Sequence, residues 1–243
     1  MSSEGRKRGY RSKKSKSGGS PSLPYVVKDA MGFDSVDPFD YRPLQNEESY
    51  FLQQDFSDDT KAAIETYLDK DSVSGSLYSP SQILNYKLRN GDTLSASEQK
   101  MYDDLQSGMH NLGQNITLER YDRIGFMEML GINNYDTKSI DTLKSQLVGT
   151  EYVDRAFGST SYNNFSKAPN GGKPFTDKCV KLNIQAPAST QAFMPGNGKG
   201  GNLGEIILAP NTRYRIKDLR YTGKMGRSGL HYYKQIEIDV EIF

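Results

Sequence analysis

The chain has a single cysteine, Cys179, and two histidines, His110 and His231, among 243 residues. One thiol excludes an intramolecular disulfide and suits a reducing compartment. With so few thiol and imidazole ligands, no metal site is expected. No apolar run approaches the length of a membrane span, and the basic start is not followed by the apolar core of a secretion signal. The expectation is therefore no membrane association and no secretion. Gly172-Lys173 and Gly198-Lys199 are followed by Pro and Gly rather than Ser or Thr, so neither glycine-rich loop is a nucleotide-binding P-loop. No internal repeat is evident.

Charge is balanced overall but not locally. Residues 1–20 carry Arg6, Lys7, Arg8, Arg11, Lys13, Lys14 and Lys16 against Glu4 alone, and the remainder has 24 basic and 29 acidic residues. A segment of Lys, Arg, Ser and Gly has no apolar face to bury, so residues 1–20 read as a disordered tail. Two readings of it stand: a solvated arm, or a polyanion-binding segment over residues 6–16 acting through phosphate contacts. Residues 21–56, with Pro21, Pro24, Pro38 and Pro43, read as an irregular lead-in, and residues 57–243 as the domain.

Within that domain, helices come first. Ser57-Asp58-Asp59 is a helix start followed by Ala62, Ala63, Ile64, Tyr67 and Leu68 on one face. Ser79-Pro80 opens a second helix that Asn90-Gly91 closes. Ser95 or Ser97 caps a third, containing Met101, Leu105 and Met109. After the strand Ile116–Tyr121, residues 122–150 are helical in part. Strand patterns then dominate: 152–161, 178–184, 205–209, 212–221 and 232–242, the last alternating cleanly from Gln235 to Ile242. Helices followed by strands predict an α+β fold. Cys179, within the expected strand 178–184, reads as a small core residue rather than a nucleophile.

Three short pieces in fixed order carry the chemistry. Arg120 ends the strand that begins at Ile116. Ser159-Thr160-Ser161 follows. Glu205 opens the run Ile206-Ile207-Leu208 ahead of Pro210. Each is common alone, and an exposed strand arginine or glutamate is the ordinary reading of either charged residue. Together they resemble the Arg/Ser-Thr-Ser/Glu pattern of mono-ADP-ribosyltransferases, over about residues 57–243, and most of all the compact modules of bacteriophages and bacterial toxins. The resemblance implies N-terminal helices followed by a mixed, antiparallel β-sandwich core around an NAD cleft. It implies NAD as substrate and a host protein or nucleic acid as acceptor.

The resemblance also implies roles. Arg120 would grip the diphosphate as a two-pronged guanidinium. Ser159 would orient Glu205, and Thr160 would support the strand network, with Ser161 beside them. Glu205 would offset the positive charge that develops on the ribose as nicotinamide leaves. An aromatic after Ser-Thr-Ser would stack on nicotinamide, with Phe165 the first choice and Tyr162 the second.

Two positions depart from the family pattern. Tyr121 stands where phage members often have Gly. Leu203 stands two residues before Glu205, where arginine-modifying members carry Glu and others Gln. Leucine can neither deprotonate nor hydrogen-bond an acceptor, so arginine is not the expected target. Water as acceptor (an NAD glycohydrolase) and a degenerate, non-catalytic virion or binding module are the alternatives. The resemblance to phage modules includes the lead helices, notably Tyr78 to Gly91. It implies a phage-encoded protein acting in a bacterial host cytoplasm, whether expressed there or packaged in a virion and injected.

Overall fold

The computed structural model describes residues 56–71, 73, 76–162, 178–195 and 205–243. The basic tail, most of the lead-in, Phe165 and Leu203 lie outside the described residues.

The first three helices are set by local sequence. Helix α1, Asp58–Leu68, starts where the Ser57 hydroxyl accepts from the Thr60 amide. Helix α2, Pro80–Asn90, has Pro at its first turn and a capping box in which Ser79 and Gln82 satisfy each other's backbone amides. Gly91 ends it in the left-handed region at φ 72°, a conformation glycine adopts without a Cβ clash. Helix α3, Ala96–Ser107, carries a second capping box, between Ser95 and Glu98. It stops short of Met109, which packs against the helices from the following turn. Two short helices come later in the chain: α4 (Gly125–Met129) and α5 (Ile140–Leu147).

Nine strands among the described residues form one hydrogen-bonded sheet: β1 (His110–Asn111), β2 (Ile116–Asp122), β3 (Glu151–Asp154), β4 (Gly158–Ser161), β5 (Val180–Ala186), β6 (Gln191–Phe193), β7 (Glu205–Leu208), β8 (Thr212–Ser228) and β9 (His231–Ile242). Their order is β1-β6-β7-β4-β2-β5-β9-β8-β3. All pairs are antiparallel except β5–β9. The α+β expectation holds. Details differ: the single run expected over 152–161 is two strands separated at Arg155–Phe157, because Asp154 turns the chain by accepting from the Ala156 amide. Strand β6 lies in a stretch that composition alone marks as loop. Strands β8 and β9 also run further, into a long hairpin with register shifts after Ile216 and Tyr221.

The sheet curls over its own core. Asp154 on β3 and Arg120 on β2 are four strands apart in the order, about 19 Å on a flat sheet, yet their side chains meet at 3.0 Å. The enclosed core includes Leu118, Leu182, Ile184, Tyr214, Ile238 and Val240, with Leu143 and Leu147 of α5 and the fully buried Cys179. A second core, including Tyr67, Leu84, Leu105, Phe157, Phe193 and Ile207, joins α1–α3 to the outer side of β4, β6 and β7. Strand β7 serves both: Ile206 and Leu208 enter the first core and Ile207 the second. Alternation therefore puts Glu205 on the helix-facing side with Ile207. Among the described residues no helix is long and apolar enough to cross a membrane.

Candidate active site

The cleft arises where two strands part. Strands β2 and β4 share one register pair, Glu119 with Ser161. Beyond it β2 stays with β5 as far as Asp122 and β4 stays with β7 as far as Gly158, so the two sides of the sheet separate. Arg120 lies past the split on β2, and Ser159 lies past it on β4. Helix α2 covers the gap. The resulting cleft of ≈ 1170 Å³ is lined by Arg120, Ser159 and Glu205 from the sheet and by Asn85, Tyr86 and Arg89 from α2. That is more than the ~300–1,000 Å³ of a drug-sized pocket.

Glu205 is the first residue of β7 and is half-buried. Ser159 Oγ donates to its Oε1 at 2.5 Å. The bond runs diagonally across the β4–β7 pair, since Ser159 stands opposite Ile207 and Ser161 opposite Glu205. This bond fixes one carboxylate oxygen of Glu205 on the wall of the cleft.

Arg120 is held from two sides. Its Nη2 lies 2.9 Å from Asp122 and its Nη1 3.0 Å from Asp154. Asp154 also takes both prongs of Arg89, at 3.1 and 3.2 Å. One carboxylate thus joins β2, α2 and the turn from β3 to β4, with its side chain 8% exposed. Burial alone would lower the Arg120 guanidinium; Asp122 and Asp154 outweigh it and raise it. Burial alone would raise the Asp154 carboxyl; Arg120 and Arg89 outweigh it and hold it below its ordinary 3.8. Two guanidiniums and two carboxylates form a preset, charged floor.

Asn85 ties α2 to α1 and to the turn that leads into β4. Its Nδ2 donates to the Tyr67 hydroxyl at 2.8 Å, and its Oδ1 accepts from the Phe157 amide at 3.1 Å. The Tyr67 phenol is raised by burial, against the Asn85 bond and with help from nearby Glu205, so it stays a neutral hydroxyl beside the carboxylate.

The structure therefore brings Arg120, Ser159 and Glu205 to one cleft. Thr160 is fully buried, and its hydroxyl donates to the Ile206 carbonyl at 2.8 Å, fastening β4 to β7. Ser161 is buried opposite Glu205. Tyr162 is 7% exposed and packs in the enclosed core rather than among the cleft's lining residues. Phe165 lies outside the described residues. Sequence reasoning missed Asn85, Arg89 and Asp154. The signal for the first two was the Tyr78–Gly91 stretch, noted for its resemblance but not assigned roles; for Asp154 it was an acidic residue shortly before Ser-Thr-Ser. Among the described residues no group of three or more His, Cys, Asp or Glu side chains could hold a metal ion.

The fold is shared with solved structures. The Clostridium limosum C3 exoenzyme aligns with TM-score 0.61 at 19% identity, covering 84% of this chain and 97% of that one. C3stau2 from S. aureus, solved with NAD, aligns with TM-score 0.61 at 16% identity, covering 84% and 98%. Plx2a, an ADP-ribosyltransferase toxin from Paenibacillus larvae, gives 0.59 at 16%, covering 81% and 92%. Comparison with curated protein sequences finds no match. The model of the ADP-ribosyltransferase exoenzyme family matches residues 44–239. That span contains the split sheet, the arginine floor and the serine-held glutamate, and the chain belongs to the ADP-ribosyltransferase exoenzyme family, as an NAD-dependent ADP-ribosyltransferase.

Proposed function

We propose that this enzyme breaks the bond between nicotinamide and ribose in NAD and transfers the ADP-ribose to a host macromolecule, a protein or a nucleic acid, with Glu205, Ser159 and Arg120 at the reacting centre. The observation that carries the reading is the Ser159–Glu205 hydrogen bond on the wall of the cleft that also holds Arg120.

Arg120 binds diphosphate oxygens through its fork, with Arg89 beside it. Asp154 sets both guanidiniums before substrate arrives, so little ordering remains to be done on binding. As the glycosidic bond breaks, its electron pair leaves with nicotinamide, which departs neutral. Positive charge then collects on the ribose. Glu205 faces that charge, and Ser159 holds its carboxylate so that no reorganisation is needed. The acceptor's nucleophile forms the new bond at the vacated carbon and gives up its proton. Thr160 and Ser161 keep β4 on β7, which fixes the distance between Ser159 and Glu205. Phe165 is the proposed stacking surface for nicotinamide, while Tyr162, buried beside Ser161, supports the strand from the core side.

The reading extends to origin and delivery. The lead-helix sequence from Tyr78 to Gly91 resembles phage modules, which favours a phage-encoded enzyme that acts in a bacterial host cytoplasm, expressed there or injected from a virion. Residues 6–16 are proposed to bind polyanions. Deleting residues 1–20 is expected to weaken RNA binding, most at low salt, and to leave NAD cleavage unchanged.

The test is incubation with labelled NAD, with and without host lysate. Label on a macromolecule supports transfer. Free ADP-ribose as the only product identifies a glycohydrolase, and uncleaved NAD a non-catalytic module.

A further inference from the structure

The β8–β9 hairpin carries surface that the cleft does not use. From Asp218 to Glu237 the sequence contains no intervening acidic residue, while Lys224, Arg227, His231 and Lys234 all fall there. The register places Met225 opposite Lys234 and Arg227 opposite Tyr232. Alternation puts these four on one face of the ribbon, and all four are exposed. Met225 is 56% exposed, Tyr232 64%, and Leu230, in the turn, 84%. The opposite face turns inward at Gly226, where an added Cβ would come within 2.4 Å of the Lys178 carbonyl oxygen. The ribbon is thus seated on the body, with its cation-bearing face outward. Among the described residues Lys224, Arg227 and Lys234 form no ion pair with a carboxylate, whereas Arg220, nearer the body, is taken by Glu237 and Asp239.

The ribbon projects from the same end of the sheet as the cleft. Asp122, just past Arg120, pairs with Val180, and Val180 pairs with Ile236. From Ile236 outward the hairpin runs on for five residues of β9, about 16 Å. Two strand spacings, about 10 Å, separate β2 from β9. An occupant that approaches the cleft from this end meets the ribbon.

We infer that the outward face of this hairpin docks a protein whose surface combines carboxylates with an apolar pocket, and that this protein is the ADP-ribose acceptor. The inference rests on the proposed transfer activity. Apolar and cationic side chains alternate along one face, so carboxylates and an apolar pocket must lie within about 7 Å of each other on the occupant. A folded protein surface offers both at that spacing. A phosphate backbone gives Leu230 and Met225 nothing to enter, and a lipid layer stacks its charge and its apolar depth rather than interleaving them. Met, Arg and Tyr around an exposed Leu also match the side chains enriched at protein interfaces.

The experiment uses the full chain with labelled NAD and cell lysate, comparing wild type with Leu230→Glu and with the double variant Arg227→Glu/Lys234→Glu. All three positions are exposed, so NAD cleavage without lysate is expected to stay within about twofold. Label transferred to lysate is expected to be destroyed by protease and not by nuclease. It is expected to fall about tenfold or more in each variant, the scale of a lost hot-spot contact. Equal labelling by wild type and variants overturns the inference. So does label removed by nuclease, or NAD cleavage by the wild type with no labelled protein. Binding of the wild type to phosphatidylserine vesicles that both variants lose would reassign the surface to membranes. Failure of the wild type to cleave NAD at all would instead overturn the transfer activity itself, and this inference with it.

Discussion

Asp154 reaches Arg120 at 3.0 Å although their strands stand four places apart in the sheet. The contact closes the curl of the sheet and fixes the diphosphate-gripping candidate in one act. The same carboxylate holds Arg89 of α2, so the helical cover and the two ends of the run from β2 to β3 share a single anion. Stability and site geometry are therefore tied together at this residue.

Replacing Asp154 with Asn leaves Arg120 and Arg89 facing each other without the anion between them. Removing one partner of a buried ionic group costs on the order of 3–5 kcal/mol, because the charge left behind is uncompensated. Arg89 is 40% exposed and Asp122 still serves Arg120, which places the expected loss near the lower end, about 3 kcal/mol. Urea unfolding measures it; an unchanged midpoint would remove Asp154 from the framework.

The same carboxylate makes stability depend on acid. Asp154 is held below its ordinary 3.8 in the folded state, against burial and by Arg120 and Arg89. The unfolded chain binds this proton first as pH falls, so the stabilisation is complete above 3.8 and is lost as pH drops through the lower folded value. Wild type and Asp154→Asn should therefore converge in stability below that range. Unfolding curves from pH 7 to pH 2 that stay parallel would contradict this assignment.

Glu205→Gln keeps the side chain's shape and its reach to Ser159. It removes the charge proposed to face the ribose, worth on the order of 3–4 kcal/mol of barrier if it acts like other preorganised stabilisers. NAD cleavage should fall at least a hundredfold with little change in melting temperature. Residual cleavage above a tenth of wild type would place the reacting carboxylate elsewhere.

Arg120→Lys retains charge but loses the fork that now spans Asp122 and Asp154. Both NAD affinity and stability should drop. Calorimetric titration and thermal unfolding read the two effects separately, and unaltered affinity would put Arg120 outside the substrate contact.

Gly226→Ala should loosen the hairpin's seat. Its Cβ would meet the Lys178 carbonyl and the Cys179 backbone at 2.4–2.6 Å, and backbone cannot swing aside as a side-chain tip can. A cost of about 1–3 kcal/mol is expected from such overpacking. Hydrogen exchange along residues 221–236 would show the loosening directly.

What the sequence made legible was mostly local. Ser57, Ser79 and Ser95 announce helix starts because their hydroxyls satisfy amides three residues on. Gln235 to Ile242 alternates because one face is buried. The order Arg, Ser-Thr-Ser, Glu was readable, but not the bonds around it. Asp154 and Arg89 are ordinary charged residues until the curl of the sheet brings α2 and β3 to β2. The length of the β8–β9 hairpin was hidden by Gly223 and Gly226, which interrupt the apolar alternation although β8 runs through both as far as Ser228. Strand β6 was hidden for a similar reason: Phe193 is buried by helices that its own neighbourhood does not mention.

Strand β9 lies inside the sheet, between β5 and β8, and it makes the sheet's single parallel pairing among the described residues. Strand β5, in turn, braces the strand that carries Arg120. During synthesis, residues 231–242 emerge long after the helices and β2, and until they insert, β5 has an open edge and the arginine strand has no rigid backing. The arginine strand therefore stays without that bracing until residues 231–242 have been made. A chain that stops before residue 231 should be both inactive and prone to edge-to-edge aggregation, since the exposed strand would seek a neighbour elsewhere.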